Sequence, residues 1–200
     1  PQINFMVTDT FAMAREKEPH MFDDDEAFGS GVPDFARYHD QWGESLGRRR
    51  CGEATPIYCW WPPAAPRIRD YNPAMKWVLL LREPASRAHS HWNMERSWGV
   101  EPQPFEAALD REMRDLIGRP GFYAKSGSFL SRGFYAQQLE RLFALFPREQ
   151  VLVLRSDWLR NDPARTIGRV LAFLEVGPMG PTEGIEAHVR SYPEPLDPGT

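Results

Sequence analysis

Two short runs of apolar residues have the length and continuity of buried β-strands. Trp77–Leu81 and Val151–Leu154 contain no polar position, and both are too short for a typical helix. Continuous apolar strands are characteristic of parallel sheets that are covered on both faces, whereas a one-faced strand alternates apolar and polar residues. The pattern therefore predicts two central parallel strands. A further strand is expected at Ile3–Val7, and an extended piece interrupted by Pro19 at Lys17–Phe22.

Helical spacing separates and follows the two apolar strands. Apolar residues recur at helical intervals over 105–117 and 133–146. Asp162 with Pro163 forms an N-cap and first-turn pair, which opens a helix that runs through Leu174. This alternation predicts an α/β protein with a central parallel sheet flanked by helices in three layers.

The segment 29–75 has a different character, because it is rich in Gly, Pro and aromatic residues. Such a composition predicts mostly irregular structure. A short helix is expected around 35–42. Trp60 and Trp61 are expected in the core or in the wall of a cleft, since large aromatic side chains are seldom left in solvent.

The strand predicted at 77–81 ends beside side chains that are suited to binding an anion. Arg82 follows it directly, Pro84 fits the first turn of a helix, and Ser90 lies about two turns further along. Ligands of open parallel sheets gather beyond the carboxyl ends of strands, where a following helix points free N–H groups outward. The segment therefore outlines a phosphate site, although a strand-end arginine commonly pairs with a carboxylate instead.

A second candidate cluster lies at Lys17–Asp23. If the segment is extended, Glu18 and His20 share a face, so that a carboxylate and an imidazole can handle protons together. Glu18, His20 and Asp23 are also acceptable metal ligands, but their spacing matches no standard metal motif. The acidic residues that follow, Asp24 and Asp25, are expected to form a solvated turn.

Composition favours one soluble domain. The 200 residues are 42% hydrophobic, and no break in composition separates two halves. The formal charge of −4 gives no overall attraction to nucleic acid. Of the 24 cationic residues only three are Lys, which favours planar, bidentate anion contacts by arginine. Cys51 and Cys59 are too few for a disulfide scaffold, and no apolar run reaches membrane-spanning length.

In four separated patterns the chain resembles the sulfotransferases that use 3′-phosphoadenosine 5′-phosphosulfate (PAPS), above all the branch of heparan sulfate sulfotransferases and their bacterial relatives. The patterns follow the family's order: Lys17–Asp23, Gly52–Tyr58, Leu81–Pro84 with Arg87 and Ser90, and Gly133–Tyr135 continuing to Phe173 and Leu174. The resemblance implies a P-loop-type, three-layer α/β fold. It also implies transfer of a sulfuryl group from PAPS to an acceptor hydroxyl, with adenosine 3′,5′-bisphosphate as product and no metal requirement.

The resemblance assigns roles to single residues. Glu18 matches the family's catalytic base, and His20 would support it. Arg82 and Ser90 match the pair that holds the 3′-phosphate of the cofactor.

Near the end of the chain, residues 188–194 resemble a degenerate form of the family's loop over the cofactor phosphates. Arg190 is the retained cation in this comparison, and Ser191 is a further cofactor-binding candidate. His188 stands where the family has Lys. A contact of His188 with the phosphates would therefore depend on pH.

Two departures from the family pattern shape the expectation. The phosphosulfate-binding loop should precede Ile3 and a final helix should follow Pro198, so we expect residues 1–200 to be a single domain truncated at both ends and inactive or poorly active alone. Ala54 stands where heparan-modifying relatives place a Lys, which favours a small hydroxylated acceptor over a strongly anionic glycan. A bacterial-type cytoplasmic protein is favoured, with a Golgi location left open.

Two other classes of function remain at this point. A small kinase related to the P-loop enzymes would need a Gly-rich Lys loop and a carboxylate for Mg2+. A non-catalytic nucleotide-binding module is the other. Only the sulfotransferase explains Glu18, Arg82 and Ser90 together. Oligomeric state and acceptor identity are not encoded in any pattern of the sequence.

Overall fold

The computed structural model of the chain describes residues 11–29, 33–47, 49–121 and 123–177. Helices and short strands are mixed along these residues, as expected for an α/β protein. The strands are β1 (Phe11–Met13), β2 (Arg50–Gly52), β3 (Trp77–Leu81) and β4 (Val151–Arg155). The helices are α1 (Asp25–Gly29), α2 (Ala36–His39), α3 (Ala64–Tyr71), α4 (Pro84–Ser97), α5 (Phe105–Gly118), α6 (Tyr135–Leu145), α7 (Ser156–Asn161) and α8 (Pro163–Leu174).

The strands pair in two sheets within the described residues. β1 runs parallel to β2, with Phe11 opposite Arg50 and Met13 opposite Gly52. β3 neighbours β4 in the second sheet. The two apolar runs thus form the strands that were predicted, and β3 and β4 are adjacent although about seventy residues separate them. The strand predicted at Ile3–Val7 lies outside the described residues.

The helices that were predicted from periodicity and capping are confirmed. α5 and α6 cover the two periodic segments, and α8 begins at Pro163. The Asp162 side chain accepts a hydrogen bond from the Arg165 backbone N–H at 3.0 Å, which is the contact expected of an N-cap. In α5 the buried stripe passes through Ala108 and Glu112, and Met113 is 46% exposed.

Two expectations for the N-terminal part of the chain are wrong, and one helix was not predicted. The unpredicted helix is α3, which occupies eight residues of the segment that was expected to be mostly irregular. Asp25 begins α1 instead of lying in a solvated turn. Lys17–Phe22 contains no strand, since the chain bends after β1 and reaches a turn at Phe22 and Asp23.

The chain divides into two compact units. Unit 1 comprises the described residues up to Leu80 and those from Arg141 to Gly177, and unit 2 comprises Leu81–Glu140. In unit 1 the rings of Trp77 and Phe146 meet at 5.5 Å between centroids. Other side chains buried in this unit are Trp60, Ile68, Leu142, Leu154 and Val170.

Unit 2 has its own core between α4, α5 and the segment before α6. The buried cluster consists of Ala88, Trp92, Phe105, Ala108 and Phe129. Trp92 is fully buried, and its indole N–H donates to the Gln103 carbonyl at 2.9 Å. Among the described helices, none has both the length and the apolar character that crossing a membrane requires.

Candidate functional site

A turn at residues 18–23 of unit 1 brings two carboxylates to one imidazole. His20 Nε2 lies 3.6 Å from a Glu18 carboxylate oxygen, and His20 Nδ1 lies 3.1 Å from each oxygen of Asp23. The Asp23 side chain is 6% exposed, whereas Glu18 is 30% and His20 51% exposed. A buried carboxylate therefore holds one edge of the ring, and the other edge faces a more accessible carboxylate.

The predicted contact of Glu18 with His20 is present, but the reason given for it was wrong. An extended segment would place the two side chains on one face. Instead, His20 has a φ of 54°, which is left-handed backbone. A residue other than glycine pays about 1 kcal/mol for this conformation. The cost indicates that surrounding contacts fix the turn.

The geometry of the turn does not bring these three side chains together around one point. Asp23 and Glu18 approach opposite nitrogens of the same ring, so their oxygens do not converge on one point. In the described part of the chain, no group of three or more His, Cys, Asp or Glu side chains is arranged to hold a metal ion.

Phe22 anchors the turn in a cage of aromatic rings. Its side chain is 1% exposed. Ring centroids of Phe28, Phe35, Tyr38, Tyr58 and Tyr71 lie 5.3 to 6.3 Å from that of Phe22. The Phe22 backbone is also bonded on both sides, since its N–H donates to the Tyr58 hydroxyl at 3.3 Å and its carbonyl accepts from Arg67 at 3.0 Å.

A half-buried carboxylate, Glu53, is hydrogen-bonded to this cage. It accepts hydrogen bonds from the Tyr38 hydroxyl at 2.5 Å and from the Thr55 hydroxyl at 2.7 Å. Burial raises the pKa of Glu53, and hydrogen bonds from Tyr38, Thr55 and Tyr58 offset part of that shift. Burial is also the main cause that raises the pKa of Tyr38 and of Tyr58, with the nearby Glu53 acting in the same direction.

This network corresponds to the Gly52–Tyr58 pattern of the sequence. Gly52 precedes Glu53 at the end of β2, and a Cβ atom there would meet the Phe11 ring at 2.5 Å. Glycine at this position therefore leaves room for the Phe11 ring. The pattern was noticed as a family resemblance, but the roles of Glu53 and Tyr58 were missed because no sequence rule connects them to Phe22.

In unit 2 the residue after β3 is held by its backbone. The Tyr135 hydroxyl donates to the Arg82 carbonyl at 2.9 Å. Gly133, just before Tyr135, packs on α4, since an added Cβ would lie 3.3 Å from the Pro84 side chain. These contacts place Arg82 at the entry to α4, where the sequence predicted it.

The start of α4 differs from the prediction of free N–H groups. The Glu83 carboxylate caps the helix and accepts from the backbone N–H of Ala85 at 2.8 Å and of Ser86 at 2.6 Å. These hydrogen bonds lower the pKa of Glu83. Because the cap already satisfies these two donors, they are not available to an anion.

Two further ionisable residues of α4 face the segment before α6. The Arg87 guanidinium donates to the Phe129 carbonyl, and burial lowers the pKa of Arg87. One turn later, His91 Nε2 lies 3.1 Å from a Glu95 carboxylate oxygen. Glu95 also accepts from the Gly127 backbone N–H at 3.0 Å. Arg87 and Glu95 therefore join α4 to residues 127–129.

The six candidate residues fall into three groups. Glu18 and His20 lie together in unit 1. Arg82 and Ser90 lie at the start of α4 and about two turns into it, in unit 2. Arg190 and Ser191 lie outside the described residues.

A family model described as the sulfotransferase domain matches residues 65–191 of the chain. The match is well over half of the 200 residues and includes β3, α4 and every later element. It also includes Arg82, Ser90, Arg190 and Ser191, whereas Glu18 and His20 precede the matched range.

Curated relatives extend the similarity toward the N-terminus. Human heparan sulfate glucosamine 3-O-sulfotransferase 3B1 is 30% identical over 157 residues, which is 78% of this chain and 38% of the relative. Human heparan sulfate glucosamine 3-O-sulfotransferase 5 is 26% identical over 164 residues, which is 81% of this chain and 45% of the relative. The chain therefore spans less than half the length of these relatives.

A solved structure shares the fold. A sulfotransferase from Alicyclobacillus acidocaldarius superimposes with a TM-score of 0.73 at 24% identity, over 96% of this chain and 78% of that chain. The likeness confirms the α/β fold class that was predicted from the alternation of strands and helices.

Proposed function

Because the chain belongs to the sulfotransferase family, we propose that it transfers a sulfuryl group from PAPS to an acceptor hydroxyl with Glu18 as the base. The observation that carries the proposal is the turn at 18–23, where Glu18 lies 3.6 Å from His20 and Asp23 holds the other edge of the ring. A partly exposed carboxylate in a fixed turn can reach an acceptor and remove its proton.

The reaction is an in-line displacement at sulfur. Glu18 takes the proton of the acceptor hydroxyl as the acceptor oxygen forms its bond to sulfur. The bond from sulfur to the bridging phosphate oxygen breaks, and adenosine 3′,5′-bisphosphate leaves. Positioning of the two reactants supplies much of the rate acceleration in such a displacement.

His20 has a supporting role in this proposal. Asp23 accepts at Nδ1 and so orients the ring, which presents Nε2 to Glu18. Such an arrangement restrains the Glu18 carboxylate and provides a polar neighbour that can share its proton after transfer.

Arg82 and Ser90 bind the 3′-phosphate of the donor in this proposal. A guanidinium makes strong, charge-assisted hydrogen bonds to phosphate oxygens, and a serine hydroxyl adds a single directed bond. The fixed Arg82 backbone supports this role, as does the Glu83 cap, which leaves binding to side chains. Arg190 and Ser191 are proposed to contact the donor phosphates on the strength of the motif alone.

The acceptor class follows from two considerations. The curated relatives are heparan sulfate glucosamine 3-O-sulfotransferases, so a glycan hydroxyl is one candidate. Ala54 offers no charge to an anionic polymer where those relatives are expected to have Lys, which favours a small hydroxylated acceptor.

We propose that both unit 1 and unit 2 belong to one sulfotransferase domain.

Glu18→Gln in the full-length protein tests the role of the base. Turnover should be followed with sulfur-labelled PAPS and a panel of acceptors that includes heparan sulfate oligosaccharides and small alcohols. Loss of a general base lowers kcat by a factor of roughly 100 or more. Binding of adenosine 3′,5′-bisphosphate, measured by calorimetry, should not change.

Glu26→Gln is the matched control, because Glu26 is an exposed carboxylate in the neighbouring helix α1. It should leave both kcat and binding unchanged. A Glu18→Gln protein with the kcat of the wild type would remove Glu18 from the mechanism.

A further inference from the structure

We propose that Tyr58 is a positioning residue for Glu18, because its hydroxyl holds the backbone of the turn that carries the base. The inference rests on the proposed function, since it assumes that Glu18 removes the acceptor proton. It concerns a residue 40 positions from Glu18 in the sequence. Tyr58 reaches the turn through a hydrogen bond to the Phe22 backbone.

The turn needs external support. His20 has left-handed backbone at a φ of 54°, and the chain from Glu18 to Phe22 contains no strand or helix. Asp23 contacts His20, and His20 contacts Glu18. These contacts can hold the Glu18 carboxylate in place only if the backbone at Phe22 and Asp23 stays fixed. A loop in strained conformation persists when its surroundings determine it.

Tyr58 and Arg67 fix that backbone from both sides of Phe22. The Phe22 N–H donates to the Tyr58 hydroxyl, and the Phe22 carbonyl accepts from Arg67. Because Phe22 is buried, water cannot readily replace either partner. Asp23 comes next in the chain, so the position of Phe22 sets the position of the carboxylate that orients His20.

The Tyr58 hydroxyl is held in place by the packing of its own ring. Tyr58 is 5% exposed, and its ring packs edge-to-face on Phe22 with 5.6 Å between centroids. The nearby Glu53 carboxylate accepts from Tyr38 and Thr55. The hydroxyl that accepts from the Phe22 N–H therefore sits on a buried side chain.

Tyr38 offers a matched control within the same cage. Its ring meets Phe22 at 5.3 Å and an interplanar angle of 80°, and the Tyr58 ring meets Phe22 at 5.6 Å and the same angle. Both hydroxyls interact with Glu53. The Tyr38 hydroxyl donates to Glu53 instead of bonding the backbone of the turn. Replacing either tyrosine with phenylalanine keeps the ring and removes one hydroxyl.

The experiment compares Tyr58→Phe with Tyr38→Phe in the full-length protein, using sulfur-labelled PAPS and the acceptor that gives turnover. Tyr58→Phe should lower kcat at least about tenfold, because a displaced base is poorly aligned with the acceptor. The KM for PAPS should not change. Tyr38→Phe should keep kcat within about twofold of the wild type, because it leaves the hydrogen bond to the Phe22 backbone in place. Both variants should be assayed below their melting temperatures.

The Glu18→Gln background separates positioning from general damage. If Tyr58 acts through Glu18, then Tyr58→Phe should have no further effect on kcat once Glu18 is replaced. A normal kcat in Glu18→Gln would reject the base itself. If kcat is reduced in Glu18→Gln, two outcomes would reject only the role of Tyr58. One is an equal loss of kcat in Tyr58→Phe and Tyr38→Phe, and the other is additive losses in the variant that carries both Glu18→Gln and Tyr58→Phe.

A spectroscopic measurement gives an answer that does not depend on the acceptor. The imidazole resonances of His20, assigned by comparison with His20→Gln, should shift in Tyr58→Phe and stay unchanged in Tyr38→Phe. Identical His20 resonances in the wild type and Tyr58→Phe would overturn the inference.

Discussion

Arg82 and Arg87 stand five positions apart, yet the structure gives them different tasks. The Arg87 guanidinium donates to the Phe129 carbonyl, and its pKa is lowered chiefly by burial, which marks a structural side chain. Arg82 is half-buried, and its hydrogen bond from Tyr135 engages the backbone carbonyl. The proposed phosphate role therefore belongs to Arg82, while Arg87 stabilises unit 2.

Arg82→Ala should weaken the binding of adenosine 3′,5′-bisphosphate. Loss of a charged hydrogen bond costs on the order of 2 kcal/mol, which is roughly a thirtyfold rise in Kd. Calorimetry on the full-length protein measures the change, and Arg114→Ala, which alters an exposed cation on α5, serves as the control. Equal Kd values for the wild type and Arg82→Ala would reject the phosphate role.

The sequence predicted the contact between Glu18 and His20 but not the way in which the chain makes it. Alternation in an extended strand was the stated reason, whereas left-handed backbone at His20 brings the side chains together. A positive φ at a residue other than glycine arises from long-range contacts. The bond from Phe22 to Tyr58 spans 36 positions, so no local pattern could have indicated it.

Elements were predictable where one local rule dominated. β3 and β4 are continuous apolar runs, and α8 begins with an N-cap followed by proline. α3 was missed because its sequence contains Pro66 and follows Pro62 and Pro63, which suggested irregular chain. Pro66 is the third residue of the helix, where a missing N–H breaks no intrahelical bond. β1 and β2, with three residues each, are too short to show periodicity.

The pair of His91 and Glu95 on α4 gives unit 2 a dependence on pH. Burial lowers the pKa of His91, although the hydrogen bond to Glu95 acts in the opposite direction. In the unfolded chain His91 has its ordinary pKa of about 6.5, so it binds a proton more readily there than in the folded protein. The contribution to stability is present above that pH and is lost as the pH falls below it.

Denaturant unfolding at about pH 7.5 and about pH 5.5 tests this dependence. The two values lie on either side of the ordinary histidine pKa of about 6.5, so the free energy of unfolding should change between them. The wild type should lose up to about 1.4 kcal/mol per pH unit from His91, and His91→Gln, which does not titrate, should lose less. The pKa of Glu95 is also lowered, so its contribution is lost only at more acidic pH. Parallel losses in the two proteins would contradict the assignment to His91.

For the whole molecule, the family could be predicted from four short patterns because their order and spacing are preserved together. The sulfotransferase domain match over residues 65–191 and the fold shared with the bacterial structure agree with that prediction. The acceptor could not be predicted, because side chains that recognise an acceptor vary independently of those that build the fold. The curated relatives also extend far beyond the region they share with this chain.

Sulfuryl transfer by the full-length protein is tested by following a labelled group from donor to acceptor. The full-length protein should be incubated with acceptors and either sulfur-35 PAPS or ATP labelled at the γ-phosphate, with and without a metal chelator. Sulfur-35 should appear in an acceptor, chelation should not prevent this transfer, and Glu18→Gln should slow it by a factor of roughly 100 or more. Transfer of phosphate from ATP, dependent on Mg2+ and without any transfer of sulfur, would contradict this prediction.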